Sequence, residues 1–210
     1  MKFIYLVVAL FCATLTFGQN ASSILDAVSK KYDDYNTIQS DFTFKVAQAN
    51  RENYTDKGQL FLSKSANQYK IMLPTQDLIS DGKSTWSVLK EDKEVQVSDT
   101  ENSSQAIGPN NIFTFYKTGY NIGAMKSETS GSAGRLTSID LTPQDTKSNY
   151  SKIQIRVNKN MHIHDVAIFD KSGAKYTYTI STLYVNSPIP SSVFQYNAAK
   201  YPGFEVVDLR

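Results

Sequence analysis

One cysteine, two histidines and one tryptophan stand in a chain of 210 residues. Cys12 lies in an apolar N-terminal stretch, so a chain cleaved after that stretch carries no cysteine and must hold together by its core alone. So little His and Cys leaves few groups from which to build a nucleophile or a metal site. No serine sits in a nucleophile elbow, and no Cys–His pair exists. An excess of one charge is missing too: 22 Lys and Arg against 20 Asp and Glu leave a net +2. A nucleic-acid partner held by a basic field is therefore not expected. The one long apolar run, Phe3 to Leu15, is shorter than the about 20 residues that span a bilayer.

That run reads as the core of a secretory signal peptide. Lys2 precedes it, and Thr16-Phe17-Gly18 places small residues at −3 and −1 before Gln19. Phe11, bulky and directly ahead of Cys12, argues against lipid attachment there. The expected organisation is a signal peptide over 1–18 and one domain over 19–210, long enough to bury a core.

The mature chain is rich in Tyr (13) and Phe (11). Ser23, with Asp26 three residues on, reads as a capping box. Ile24, Val28, Tyr32 and Tyr35 then recur at near-helical spacing, which predicts one amphipathic helix. From Ser40 the period becomes two. Phe42, Phe44 and Val46 alternate with polar residues, a turn is expected at Asp56-Lys57-Gly58, and Leu60 and Leu62 follow. Tyr69, Ile71 and Leu73 share a face, and Trp86, Val88, Val95 and Val97 continue the pattern beyond the Asp81-Gly82 turn. Pro109 to Tyr116, with Ile112, Phe113 and Phe115, predicts a short apolar helix, and a glycine-punctuated stretch comes after it. Strands resume at Ile139 and run through Tyr184. Short strands with turns every 8 to 12 residues point to an antiparallel barrel or sandwich.

Two tempting motifs fail. Gly82-Lys83-Ser84 resembles the end of a phosphate-binding loop, but Asp77 stands where the loop's first glycine belongs, and the local pattern is strand–turn–strand. His162 and His164 are expected on one strand face, where they could begin a metal site, yet no third ligand has a recognisable spacing. No metal or other cofactor is expected.

The run Asp77-Leu78-Ile79-Ser80-Asp81-Gly82-Lys83-Ser84-Thr85-Trp86 resembles a hairpin of the outer-membrane lipoprotein carrier protein family, LolA. Phe42-Thr43-Phe44-Lys45-Val46 is similar to that family's first strand, Leu141-Thr142-Pro143 to a later element, and Val206-Val207-Asp208-Leu209 to its ending. The resemblance implies a mainly β (α+β) fold: a half-open antiparallel β-barrel with a helical lid over its concave apolar face. It implies a non-enzymatic, monomeric periplasmic chaperone. Such a chaperone accepts acylated lipoproteins from an inner-membrane lipoprotein-releasing ABC transporter. It delivers them to an outer-membrane acceptor or to the outer membrane itself. The alternative on the same half-barrel is another lipid-binding or envelope-stress-sensing protein.

Acyl chains in water cost about 0.8 kcal/mol per methylene, so a carrier needs a large uncharged cavity. The strand faces offer Phe42, Phe44, Leu60, Leu62, Tyr69, Ile71, Trp86 and Val88 for its wall. Ile24, Val28, Ile112, Phe113 and Phe115 could cover it as a lid. One departure bears on the lid. The family often carries an Arg-Pro pair just before the strand that here holds Tyr69, and its arginine helps to hold the lid shut. This chain has Ser65-Ala66 at that place, with Lys64 beside it. Alternation should point Lys64 away from the lid, leaving apolar contact to close it.

Overall fold

The computed structural model describes residues 20–49, 52–100 and 111–210. The leader over 1–18, its cleavage point before Gln19, and Pro109 lie outside the described residues. Chain order is α1 (Ala21–Asp33), β1 (Thr37–Ala47), β2 (Tyr54–Ser63), β3 (Gln68–Met72), β4 (Gln76–Ser80), β5 (Ser84–Leu89) and β6 (Glu94–Asp99), then β7 (Tyr120–Ser130), β8 (Gly134–Pro143), β9 (Tyr150–Asn158), β10 (Ile163–Asp170), β11 (Lys175–Val185) and β12 (Glu205–Asp208). All twelve strands form one sheet, ordered β12-β6-β5-β4-β3-β2-β1-β11-β10-β9-β8-β7. The two ends of that order do not pair, so the sheet is a half-open barrel with one helix, as expected. Among the described strands, β12 beside β6 is the parallel pair; the other pairs are antiparallel.

The register sorts the two faces. Ser40 lies opposite Leu60, Leu60 opposite Ile71, and Ile71 opposite Leu78, so these four share the concave side. Across β1, Phe42 meets Ile180 and Phe44 meets Tyr178. Farther on, Val166 meets Ile155 and Ile155 meets Ile139. Ile139, Leu141, Ile153 and Ile155 are fully buried there beneath Ile24, Leu25, Val28 and Tyr32 of α1. The helix forms because its apolar residues fall at i, i+1, i+4 and i+8 on one face. Its cap is Asn20, not Ser23. The Asn20 side chain accepts from the Ser23 backbone N–H at 2.8 Å and from its hydroxyl at 2.7 Å. Ser23 thus sits inside the first turn, and the expected capping box with Asp26 is not used.

Three other local expectations are corrected. Asp56-Lys57-Gly58 is no turn but the first half of β2. Glycine is needed there because a Cβ at Gly58 would lie 2.4 Å from Phe42 Cζ and 2.9 Å from Leu73 Cδ2; the Phe42 ring occupies that space. Residues 111–117 form turns and a 3₁₀ turn, Phe115–Lys117, rather than a helix. Adjacent aromatic residues anchor this segment by their rings, without a helical backbone. The glycine-punctuated stretch holds β7 and the start of β8. β7 is an edge strand, largely exposed and mostly polar, so it carries no apolar alternation.

Candidate binding cavity

Between the Ile112–Phe113 segment and the concave face of the sheet lies a cavity of about 340 Å³. Its lid end is closed by Ile112, Phe113 and Ile163. Its walls are Leu60, Ile71, Leu73 and Leu78 on one side and Val166, Ile168 and Ile180 on the other. Phe42, Phe44 and Tyr178 stand toward the far end. Ser40 and Gln76 also reach it, and none of the described residues that line it is charged. The volume falls in the range of small-ligand pockets, about 300–1,000 Å³.

Six of the residues proposed from the sequence come together on this cavity: Phe42, Phe44, Leu60, Ile71, Ile112 and Phe113. Ile24, Val28, Leu62, Tyr69 and Phe115 belong to the adjoining core and pack the lid to the sheet without lining the space. Trp86 and Val88 do not join them. Ile79 pairs with Trp86 and Asp77 with Val88, which puts both on the convex face. There Trp86 stacks on Tyr196 at 6.0 Å, and Val88 is fully buried. Period-two alternation marks two faces but does not say which one turns inward. The lining from β10 and β11 was missed as a site, although Ile168, Tyr178 and Ile180 do alternate in the sequence. Only the β1–β11 pairing brings them to Phe42 and Phe44.

The lid is held by rings, hydroxyls and two lysines. Tyr32 stacks on Phe113 at 4.4 Å and 8°, and its hydroxyl accepts the Ile163 N–H at 3.3 Å. Burial pushes the Tyr32 hydroxyl well above the usual tyrosine range. Ser29 donates to the Tyr116 hydroxyl, which in turn donates to the Leu25 carbonyl at 3.4 Å, and burial pushes Tyr116 up to about 12. Lys117 pairs with Asp33 at 2.7 Å on the surface. Lys64 does not point away. Its Nζ donates to the carbonyl oxygens of Tyr32 at 2.7 Å and Asp33 at 3.0 Å, at the C-terminus of α1. The Tyr32 carbonyl also accepts from the Tyr35 N–H at 3.2 Å, and both carbonyls stand at the negative end of the helix dipole, which an ammonium complements. Lys64 escapes the alternation because β2 ends at Ser63 and the chain has already begun to turn. Ser65 and Ala66 are exposed in that turn.

The histidines do not converge. The ladder shifts between Ile163 and Asp165, which breaks the alternation around His164. His162 Nε2 bonds the Tyr35 hydroxyl at 2.8 Å, and burial lowers its pKa below the usual imidazole value. His164 Nδ1 lies 3.2 Å from Asp165.

Residues 33–197 match the model of a known family, described as outer membrane lipoprotein carrier protein LolA. The chain belongs to this family. Its fold is similar to that of an uncharacterised conserved protein from Thermus thermophilus, with 11% identity and a TM-score of 0.58 over 90% of this chain and 99% of that one. A LolA superfamily protein from Nitrosomonas europaea is similar at 13% identity and a TM-score of 0.44, covering 85% of this chain and 99% of that one. The Mycobacterium tuberculosis lipoprotein LppX is similar at 13% identity and a TM-score of 0.49, covering 81% and 99%. No curated protein matches the chain. The LolA match begins at the last residue of α1 and ends just before the 3₁₀ turn that leads to β12, so it spans the cavity's described walls.

Proposed function

We propose that this chain is a periplasmic chaperone that shields the acyl chains of lipoproteins and carries them from the inner to the outer membrane. The observation that carries the reading is the uncharged cavity of about 340 Å³ between lid and sheet, in a LolA-family chain. An acyl chain entering it leaves water at a gain of about 0.8 kcal/mol per methylene, and no charged group among the described lining residues has to be desolvated to admit it. The side chains proposed to contact acyl chains are Phe42, Phe44, Leu60, Ile71, Ile112 and Phe113, joined by Val166, Ile168, Tyr178 and Ile180. Ile24, Val28, Leu62, Tyr69 and Phe115 support them from the core. Export by the signal peptide over 1–18 places the carrier in the periplasm. There an ABC transporter in the inner membrane supplies the cargo, and an acceptor or the outer membrane itself takes it. The carrier does no covalent chemistry.

The test is displacement of an environment-sensitive apolar dye. A diacylated lipopeptide should displace the dye and its deacylated form should not. Equal competition by the deacylated peptide would show that acyl chains are not what the cavity recognises.

A further inference from the structure

The register lays cross-strand rows over the cavity floor. Ser40, Leu60, Ile71 and Leu78 form one row. In the next row away from the lid, Phe42 pairs with Gly58, and Leu73 approaches Gly58 from the other side. A Cβ on Gly58 would lie 2.4 Å from Phe42 Cζ, 2.8 Å from Phe42 Cε2 and 2.9 Å from Leu73 Cδ2. The tips of both side chains therefore lean into the gap above Gly58. Phe42 and Leu73 line the cavity; Gly58 lies beneath them.

The backbone gives no reason for a glycine here. Gly58 lies inside β2 and is not among the described glycines of positive φ, so any residue could adopt its dihedrals. Glycine within a strand weakens it, and such a position often marks a close approach. What excludes a side chain is the space above. A Phe42 ring pushed off Gly58 has little room along the sheet, because its pair Ile180 and the Tyr178 ring at 6.3 Å stand on the β11 side. The ring would rise into the cavity, between the closed end at Phe113 and the far end at Phe44. An apolar cavity of about 150 Å³ holds one benzene, about 25 Å³ per carbon. On that scale the cavity of about 340 Å³ holds one saturated chain of about 14 carbons, as long as the space is continuous.

We infer that Gly58 is a positioning residue that sets the length of acyl chain the cavity accepts. It leaves the floor to Phe42 and Leu73 and so keeps the space continuous from Phe113 to Phe44. The inference rests on the carrier reading and adds to it the size of the acyl group held: one chain of about 14 carbons, beyond which added carbons gain nothing from this space.

The probes are lipopeptides of one sequence carrying a single octanoyl, decanoyl, lauroyl, myristoyl or palmitoyl chain. Wild-type affinity should rise about fourfold per added methylene as far as myristoyl and level off at palmitoyl. Gly58→Ala should follow the same line to decanoyl and then level off. It should bind the octanoyl peptide within about twofold of wild type and the myristoyl peptide about tenfold or more weakly. Phe42→Leu removes the ring atoms that would meet the new Cβ, so the double variant should recover the rise to myristoyl. An unchanged profile in Gly58→Ala would overturn the inference. So would an equal loss at every chain length, or a double variant that recovers nothing. A wild type whose affinity ignores chain length would defeat the carrier reading itself, and this inference with it. A second measurement uses only wild-type protein. The nuclear Overhauser contact between the Gly58 α-protons and the Phe42 ring should persist when the myristoyl peptide binds. Its loss would show that the ring leaves the floor to admit the chain, and would overturn the inference.

Discussion

On the concave side of the sheet, the strands turn Leu60, Ile71, Val166 and Ile180 toward a space with no charged lining residue among those described, while the convex side of the sheet buries charged carboxylates with their partners. Asp165, 1% exposed, is held there by the Arg156 guanidinium through contacts of 2.6 to 3.0 Å. Asp77, 5% exposed, pairs with Lys90 at 2.7 Å and accepts from the Tyr201 hydroxyl at 2.8 Å. The convex side can bury charge because fixed partners meet it: Arg156 on the neighbouring strand for Asp165, and Lys90, just after β5, with Tyr201 from the chain beyond β11 for Asp77. That chain also brings Phe194 and Tyr196 over β3 and β5. The cavity wall faces no such fixed partner among the described residues, and a charge placed on it would lack compensation.

The strongest way to break this contrast is to move a charge across it. Phe113→Asp removes the stacking on Tyr32 and sets a carboxylate at the closed end of the cavity. The cost should be several kcal/mol unless the group escapes to water by lifting the segment. Apolar-dye binding should vanish while the far-ultraviolet β signal persists. Retained dye binding would show that the segment around Phe113 is not part of the closure.

The mirror experiment is Asp165→Ala, which strips a charge from the side that tolerates it. Arg156 would lose its main partner, at a cost of about 3 kcal/mol, the low end for a broken buried pair because Arg156 still reaches solvent and Glu128 at 3.8 Å. Urea unfolding should report the loss, and dye affinity of the folded protein should not change. Smaller still is Lys64→Met, which takes both donors from the end of α1. About 1 kcal/mol should be lost, seen as faster amide exchange confined to the last turn of the helix. Ser65→Ala, one residue along and exposed, should stay within about 0.5 kcal/mol of wild type.

The smallest effect is that of pH. Burial lowers the His162 pKa from its usual 6.5, so folding favours the neutral ring. The unfolded chain then takes up the proton first as pH falls. This contribution to stability is complete above about pH 7 and declines as pH drops through 6.5 toward the lower folded value. His162→Gln should flatten that part of the melting-temperature profile against pH. An unchanged slope would show that His162 titrates alike in both states.

Much of this architecture was legible in residue order, but unevenly. Alternation in Phe42–Val46 and in Ile153–Val157 marked strands because one side of each faces the core. The helix was marked by Ile24, Val28 and Tyr32. Its true cap escaped notice because Asn20 and Ser23 are both good capping residues, and only the backbone shows which lies outside the helix. β7 was invisible because neither of its faces is buried. Half of the cavity could be named from β1 to β3, whose hairpins are local. The other half depends on a pairing between distant parts of the chain, and no local pattern reports it. Lys64 was misjudged by extending strand alternation one residue past the strand's end.

That distant pairing also governs how the molecule comes into being. β1 through β6 join through hairpins, each a short loop to close, and so do β7 through β11. Asp41, by contrast, meets Thr182 across 141 residues of chain, and this seam of β1 on β11 unites the two halves. Contacts that far apart make folding slow, because the loop entropy is lost before the contact repays it. Until the seam closes, each half exposes an unpaired strand edge and the apolar face of an unfinished cavity. In that interval the nascent chain is open to aggregation through its own edges and apolar faces, and it needs sheltering until the seam is made.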